Sequence, residues 1–181
     1  KLSPTEHVEW RISASLTERC LMFSLNTVHI KCYVVLKMLV KAFVEPHARK
    51  CISSYHCKTA ILYSVENTSP AFWRDDNLLQ CVTKCLTLLL TWVTDEICPH
   101  FVIAEENLFA GKVTAQNKKL LQSILKDLIK RSVRALLHVN IDDIGRKLQG
   151  KLFTSSSVVP VLDSFETMLL VAECEHTMSK G

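Results

Sequence analysis

The segment NLLQCVTKCLTLLLTWVT, residues 77–94, is apolar around almost its whole helical circumference. Leucine, valine and cysteine recur in it at intervals of three and four residues, which is the spacing of an α-helix. A helix without a polar face has to be buried among other elements. We therefore predict a helix over residues 77–94 at the centre of a helical bundle, with Asp76 as its N-cap.

The sequence on both sides of this segment predicts the surrounding helices. Asn26 and Thr27 divide an apolar stretch that begins at Ser15 and is stopped by Pro46, so two helices are expected there. Ser15 and Glu18 have the spacing of a capping box in which Ser15 is the N-cap. Further helices are predicted over residues 54–66, 115–137 and 163–174, with an irregular connection over residues 99–111.

One short strand is predicted ahead of the first helix. Trp10, Ile12 and Ala14 alternate with polar residues, and a period of two is typical of a strand with one apolar face. The polar face consists of three hydrogen-bond donors, Arg11, Ser13 and Ser15. The predicted fold is therefore mainly α, with one short N-terminal strand.

The composition supports a single helical domain. The chain has 181 residues, of which 48% are hydrophobic, and that is enough to build one sizeable core. Glycine and proline number 4 and 5, which favours long helices over a fold with many turns. We divide the chain into the end of a preceding segment (1–8), a helical domain (9–149) and a poorly defined tail (150–181). The net charge of +4 permits an anionic partner without requiring one.

The eight cysteines indicate a reducing compartment. Most lie within apolar helical stretches and no secretory leader precedes them, so we interpret them as buried free thiols, with a disulfide framework as the alternative. No run of about eighteen uncharged apolar residues occurs, so no membrane span or membrane partner is predicted. The expected location is the cytoplasm, with the nucleus as the alternative. Because the first residue is Lys1 rather than methionine, we expect a fragment or a processed product.

The sequence lacks the familiar patterns of catalytic and metal sites. His29 and Cys32, like the histidines and cysteines around Cys51, lack the second tight pair that would complete a zinc site, so no metal ligand is predicted. No glycine-rich phosphate loop occurs. Adjacent acids such as Asp75 and Asp76 diverge on a helix or strand and do not suit paired acid–base catalysis. This chain alone is not expected to be an enzyme.

Four sequence stretches occur together in a distinctive order. They are WRISASLTE (10–18), SSYHCKTA (53–60), FWRDDNLLQCVTK (72–84) and PHFVI with NLF (99–103 and 107–109). In this order and spacing they resemble the C-terminal half of the Mab-21 (male abnormal) family, which includes cyclic GMP-AMP synthase and the cGAS-like receptors of animals. The resemblance covers about residues 8–137.

The resemblance implies that the chain is the helical lobe of a two-lobed, nucleotidyltransferase-like fold. A nucleoside triphosphate would bind in the cleft between this lobe and a sheet lobe that precedes it. The Gly-Ser loop and the acids that hold magnesium or manganese would belong to that missing lobe, so this chain carries no cofactor of its own. The parent protein would be a nucleotidyltransferase that makes a cyclic dinucleotide-type second messenger in innate immune signalling.

The resemblance also implies residues that contact the base of a nucleotide. Arg11, Ser13 and Glu18 match family positions that face the base of the acceptor nucleotide, and Ser15 lies on the same polar face. Structural roles are the alternative for two of them. Glu18 could close the capping box, and Arg11 could pair with a carboxylate inside the fold.

Two lysines match family positions that contact nucleotide phosphates. They are Lys58 and Lys84, although Gln80, one turn before Lys84, stands where the family enzyme has serine. Both lysines lie on otherwise apolar helices. The alternative is that each simply extends along its helix to reach solvent.

Two other functions remain open. The first is a non-catalytic family member that acts as a binding or developmental scaffold. The second is a double-stranded RNA-binding module, although a solvated helix face is the simpler interpretation of its basic residues. DNA sensing is not expected, because the zinc-binding insertion of cyclic GMP-AMP synthase is missing between Glu18 and Cys32. The RNA contact would be made by the fifth helix through Lys118, Lys119, Lys126 and Lys130.

Overall fold

The computed structural model describes residues 14–49, 51–103, 105–131, 135, 136, 138 and 139. Most of this part lies in α-helices, as predicted. Their bounds are Ser15–Ser24 (α1), Thr27–Leu39 (α2), Ser54–Glu66 (α3), Leu78–Asp95 (α4) and Ala115–Arg131 (α5). The predicted strand falls largely on residues 10–13, outside the described residues, and its last member, Ser15, is the first residue of α1.

Helix α4 is the centre of the bundle, as the sequence predicts. It packs against α2, α3 and α5. Burying one leucine side chain in such a core stabilises the fold by about 1.5–3 kcal/mol. The buried side chains of α4 are Cys81, Val82, Cys85, Leu86, Leu89, Trp92 and Val93.

Two helices begin with a capping box that uses histidine. At the start of α2, the Asn26 side chain accepts a hydrogen bond from the His29 N–H, and His29 Nδ1 accepts one from the Asn26 N–H. Ser53 and His56 form the same arrangement at the start of α3. The first box fixes the break between α1 and α2 where Asn26 and Thr27 predict it.

Two predicted caps are wrong. Ala14, not Ser15, is the N-cap of α1, and the Glu18 carboxylate turns to Lys58 instead of closing a capping box. Asp76 lies in a 3₁₀ turn, where it pairs with Arg74, and no side chain caps α4. In both cases the carboxylate bonds to a cationic side chain instead of a backbone N–H.

The irregular connection between α4 and α5 is held by the side chain of Asn107. Its Oδ1 accepts hydrogen bonds from the N–H groups of Cys98 and Phe109, and its Nδ2 donates to the Glu96 carbonyl oxygen. Pro99 and Asn107 form an isolated antiparallel bridge. The predicted connection is therefore confirmed, and one amide side chain gives it a defined shape.

The cysteines within the described residues are free thiols, as predicted. Cys20 is exposed, and the others are buried. The Sγ atoms of Cys32 on α2 and Cys85 on α4 lie 3.9 Å apart in the core. Burial raises the pKa of Cys57 to about 12, so this thiol is neutral at physiological pH. Cys174 lies outside the described residues.

The residues Asp75–Asp95 have the length and apolarity of a membrane-spanning helix, with a mean hydropathy of 1.2. This finding rests on length and composition alone, and it differs from the sequence prediction of no span. The same composition is expected of a helix at the centre of a bundle. The packing of α4 against three neighbouring helices therefore accounts for its apolarity.

Candidate functional site

Three separate parts of the chain meet at the carboxylate of Glu18 on α1. Lys58 of α3 donates a hydrogen bond to Oε2 of Glu18 at 2.5 Å, and the Tyr55 hydroxyl donates to Oε1. The Nε2 atom of His100, from the connection after α4, lies 3.4 Å from the same Oε1 and 2.5 Å from the Tyr55 hydroxyl oxygen. We call these four residues the Glu18 cluster.

Helical spacing places two members of the cluster side by side. Tyr55 and Lys58 are three residues apart on α3, so they share one face of the helix. The Lys58 ammonium also lies 4.4 Å from the centroid of the Tyr55 ring, within cation–π range. Only 19% of the Lys58 side chain and 14% of the Glu18 side chain are exposed, so salt screens this ion pair less than a surface pair.

Hydrogen bonds determine the tautomer of His100. Its Nδ1 accepts the N–H groups of Val102 and Ile103 at 3.0 and 3.1 Å, so Nδ1 carries no proton. In the neutral imidazole the proton is therefore on Nε2, which donates to the Tyr55 hydroxyl oxygen. Tyr55 in turn donates to Glu18. The result is a directed chain of hydrogen bonds from His100 through Tyr55 to the Glu18 carboxylate.

A second histidine fixes the start of α3 to the same connection. His56 stacks on Phe109 with ring centroids 5.0 Å apart. Its Nδ1 accepts the Ser53 N–H, and its Nε2 lies 3.3 Å from the Leu108 carbonyl oxygen, to which it donates. Burial lowers the pKa of His56 to about 4, so the ring is neutral at pH 7. This anchor sets Tyr55 of α3 opposite His100.

The surroundings of Glu18 lower the pKa of its carboxyl group. Burial alone raises that pKa, but the hydrogen bonds from Lys58 and Tyr55, together with the charge of Lys58 and the electrostatic contribution of His100, outweigh burial. Glu18 is therefore ionised at neutral pH. Its negative charge is compensated by the Lys58 ammonium, so the pair is neutral as a unit.

Glu18 faces a cleft of about 870 Å³, a size typical of small-molecule sites. Besides Glu18, the charged side chains of its lining are Glu105, Glu106 and Lys112. Carboxylate oxygens accept hydrogen bonds and have no proton to donate at neutral pH. The described wall is therefore suited to a group that presents N–H donors. Its other lining residues include Ala14, Ser15, Ser53, Tyr55, His56, His100, Ile103 and Asn107.

The structure brings together three of the residues predicted to contact a nucleotide. Ser15 and Glu18 line the cleft, and Lys58 bonds to Glu18 from α3. The structure gives the positions of these three side chains. Their role in binding a nucleotide stays a prediction. Arg11 and Ser13 lie outside the described residues.

The other predicted lysines take no part in the Glu18 cluster. Lys84 is exposed on α4, with its ammonium 5.8 Å from the centroid of the Phe72 ring. Lys118 pairs with Glu96 at 2.7 Å. The remaining lysines of α5 are exposed and spaced seven and four residues apart, which places them on one helix face. They are Lys119, Lys126 and Lys130.

Tyr55 and His100 are site residues that the sequence prediction missed. Both lie in the quoted stretches SSYHCKTA and PHFVI, and the spacing of Tyr55 to Lys58 was an available signal. The role of His100 was not accessible, because it lies 45 residues from Tyr55. Within the described part of the chain, no three His, Cys, Asp or Glu side chains are grouped so that they could hold a metal ion.

Comparison with known proteins identifies a family and a relative. Residues 29–126 match the Mab-21 protein HhH/H2TH-like domain. The chain is also similar to the inositol 1,4,5-trisphosphate receptor-interacting protein of Danio rerio, with 25% identity over 112 residues. That alignment covers 59% of this chain and 21% of the relative, so the chain spans about a fifth of the relative's length.

Proposed function

Because this chain belongs to the Mab-21 family and residues 29–126 match its helical domain, we propose that it forms one wall of a nucleotide-binding cleft. Glu18 faces the nucleotide base, and Tyr55, Lys58 and His100 hold its carboxylate in place. The opposite wall is a preceding nucleotidyltransferase-like lobe. The site thus recognises a nucleotide without performing the chemistry by itself.

The observation that carries this proposal is the organisation of the Glu18 carboxylate at the edge of the cleft. Among the described residues, Oε1 accepts a bond from the Tyr55 hydroxyl and Oε2 accepts one from the Lys58 ammonium, which leaves further lone pairs for a ligand. The amino and imino groups of a base are N–H donors of the kind such a carboxylate binds. A preorganised acceptor binds at a smaller entropic cost than a mobile one.

The contacts of Lys58 refine the role implied by the family resemblance. Its ammonium is already compensated by Glu18 at 2.5 Å, and a phosphate placed there would meet the glutamate charge as well. We therefore assign Lys58 a positioning role that acts through Glu18. The phosphates extend instead towards cations outside the cluster: Lys112 lines the cleft, and Arg11 and Lys84 are the candidates from the family resemblance.

The activity proposed for the parent protein follows from the same assignment. It joins nucleoside triphosphates into a cyclic dinucleotide-type second messenger, with magnesium or manganese held by acids of the preceding lobe. This helical lobe contributes recognition and orientation of the substrate. The sequence that precedes Lys1 provides a direct check, because synthesis requires a Gly-Ser loop and three metal-binding acids there.

Equilibrium binding of nucleotides tests the role of Glu18. The chain is titrated with GTP and with ATP in a calorimeter, first as wild type and then as Glu18→Gln, which keeps the shape and removes the charge. Losing one charge-assisted hydrogen bond of about 1.5–3 kcal/mol weakens binding by roughly 10-fold or more. Lys126→Gln, on the exposed face of α5, is the matched control and leaves the affinity unchanged.

A folded Glu18→Gln variant that binds both nucleotides like wild type would contradict the proposal. Thermal unfolding of each variant is recorded alongside, so that a loss of fold is not mistaken for a loss of affinity. Absence of nucleotide binding even when the chain is joined to the preceding lobe would argue for a cleft that accepts another class of ligand.

A non-catalytic binding scaffold is the second candidate function. The observation that favours it is the similarity to a protein named for its interaction with the inositol 1,4,5-trisphosphate receptor. In that case the cleft and the helix faces bind protein partners, and the parent lacks the Gly-Ser loop and metal-binding acids. The scaffold proposal predicts no nucleotide polymerisation by the full-length protein in the presence of magnesium or manganese.

Double-stranded RNA binding is the third candidate, supported by the exposed lysines of α5. Of the four candidate lysines of α5, Lys118 is paired with Glu96, so Lys119, Lys126 and Lys130 are the ones available to contact RNA. A gel shift with duplex RNA whose affinity falls steeply with salt supports this function. RNA binding should be lost when Lys119, Lys126 and Lys130 are all changed to Glu, and it should be retained in Lys118→Gln. Equal RNA binding by all variants would exclude this face of α5 as the RNA-binding surface.

A further inference from the structure

The exposed face of α2 combines apolar and basic side chains in one line. Ile30 and Val34 are 37% and 44% exposed, and Lys37 and Lys41 are exposed on the same face in the next turns. The spacing of four, three and four residues aligns all four side chains along the helix. We call these four residues the α2 stripe. Lys41 lies in the π-helical turn Val40–Val44 that continues α2.

The two lysines of the α2 stripe have no carboxylate partner among the described residues. Lys31, outside the stripe, is paired with Asp75 at 2.5 Å. Lys37 instead lies 5.9 Å from the centroid of the Tyr33 ring, and no ion pair joins Lys41 to a described side chain. An apolar surface beside uncompensated lysines matches an amphipathic segment that carries acids next to its apolar side chains.

The tail of this same chain has that chemistry. Between Lys151 and Lys180 there is no lysine or arginine, while Asp163, Glu166, Glu173 and Glu175 supply four negative charges. Within the predicted helix 163–174, apolar residues recur at intervals of three, four and seven, which gives one apolar face. These residues are Phe165, Met168, Leu169 and Ala172.

We propose that residues 163–175 dock on the α2 stripe, with the apolar face of the segment against Ile30 and Val34 and its acids against Lys37 and Lys41. The connection is long enough. Residues 140–162 can extend over about 75 Å, which exceeds the dimensions of a domain of this size. Docking within one chain also gains from the high effective concentration of a tethered segment.

The lysines of α5 are the competing surface for an acidic segment. Lys119, Lys126 and Lys130 form an exposed basic face. Leu120 is the one large hydrophobic side chain of α5 that is exposed near this face. Charge by itself gives weak attraction at an exposed site. The α2 stripe adds two aligned apolar side chains to its two lysines, and that combination favours α2 over α5.

Zero-length cross-linking of the full chain tests this docking. A carbodiimide activates a carboxyl group and joins it to an amine within ion-pair distance as an amide, with loss of water to the carbodiimide as a urea. Peptide mapping by mass spectrometry should find Lys37 or Lys41 joined to Glu166 or Glu173. Mixing ¹⁴N- and ¹⁵N-labelled chains separates links within one chain from links between two copies.

Charge exchange provides the decisive variants. Lys37→Glu with Lys41→Glu should abolish these links, and adding Glu166→Lys with Glu173→Lys should restore them with the polarity exchanged. Lys126→Glu with Lys130→Glu is the control and should leave the α2 links intact. Three outcomes would overturn the proposal, provided that all variants are folded. They are links from the tail to α5, links only between two different chains, and failure of the charge-exchanged variant to restore linking.

Discussion

At the scale of single residues, Glu18 illustrates how tertiary contacts override a local motif. The sequence around it fits a capping box, yet its carboxylate accepts hydrogen bonds from Lys58 and Tyr55 of another helix. A bond to a backbone N–H would be charge-assisted as well, but the contact with Lys58 pairs two full charges largely out of solvent, and Tyr55 adds a second bond. Asp76 likewise pairs with Arg74 instead of capping α4, although that pair is exposed to solvent and contributes little stability.

Removing Lys58 should destabilise the fold, because Glu18 then lacks its cationic partner. We expect Lys58→Met to lower the free energy of unfolding by about 1–3 kcal/mol at pH 7, because a half-buried carboxylate loses its cation. Adding Glu18→Gln to Lys58→Met should recover part of that loss. Urea unfolding measures both variants, with Lys126→Met on an exposed face as the control. Equal stability of Lys58→Met and wild type would show that the pair is energetically neutral.

Acid should weaken the fold through the same carboxyl group. Because the pKa of Glu18 in the fold lies below its unfolded value of 4.5, the stability from its contacts is complete above pH 4.5. It is lost as the pH falls through the lower folded value. Tyr55→Phe removes one hydrogen bond that lowers this pKa, so its unfolding free energy should depend less on pH below 4.5. An unchanged acid dependence would contradict the assigned role of the Tyr55 hydroxyl.

At the scale of elements, the helices were predictable and their tertiary junctions were not. Residues 54–66 form α3 with the predicted bounds, and the break at Asn26 is where the sequence places it. These features depend on local periodicity and capping. By contrast, the docking of α3 on the connection after α4 depends on His56 reaching Leu108, 52 residues away. No local pattern contains such a pairing.

The anchor at His56 makes the junction between α3 and the connection sensitive to pH. Burial lowers the pKa of His56 from 6.5 to about 4, so the unfolded chain binds a proton that the fold excludes. The unfolding free energy should therefore be highest above pH 6.5 and fall towards pH 4, by about 3 kcal/mol from this group. His56→Gln should flatten this dependence in urea titrations, whereas His47→Gln, at an exposed position, should preserve it. A dependence that survives in His56→Gln would assign it to another group.

At the scale of the whole molecule, the bundle is organised around α4, and the cleft lies where α1, α3 and the following connection meet. The sequence predicts the central helix because apolar side chains recur along most of its circumference, and the structure leaves one polar side, which includes Lys84, Thr87 and Thr91, exposed. It predicts Glu18 and Lys58 as site residues through family resemblance, and the structure joins them directly. The contribution of His100 requires the folded connection, in which Val102 and Ile103 fix its tautomer.

A cavity in the core beside α4 should lower the stability of the whole bundle. We expect Leu86→Ala, at a fully buried position of α4, to lower the free energy of unfolding by about 2–5 kcal/mol. Leu16→Ala is the control, since Leu16 is 73% exposed and its truncation should change stability by less than about 0.5 kcal/mol. Chemical denaturation followed by circular dichroism measures both. Similar losses for the two variants would contradict the central placement of α4.

The central claim is that Glu18 and its three partners form a nucleotide-facing surface. Amide chemical-shift mapping of the ¹⁵N-labelled chain during a titration with GTP tests it most directly. The predicted result is saturable shifts for Glu18, Tyr55 and Lys58, and for Val102 and Ile103, whose N–H groups bind His100. Shifts confined to α5, or no saturable shift at millimolar GTP, would contradict it.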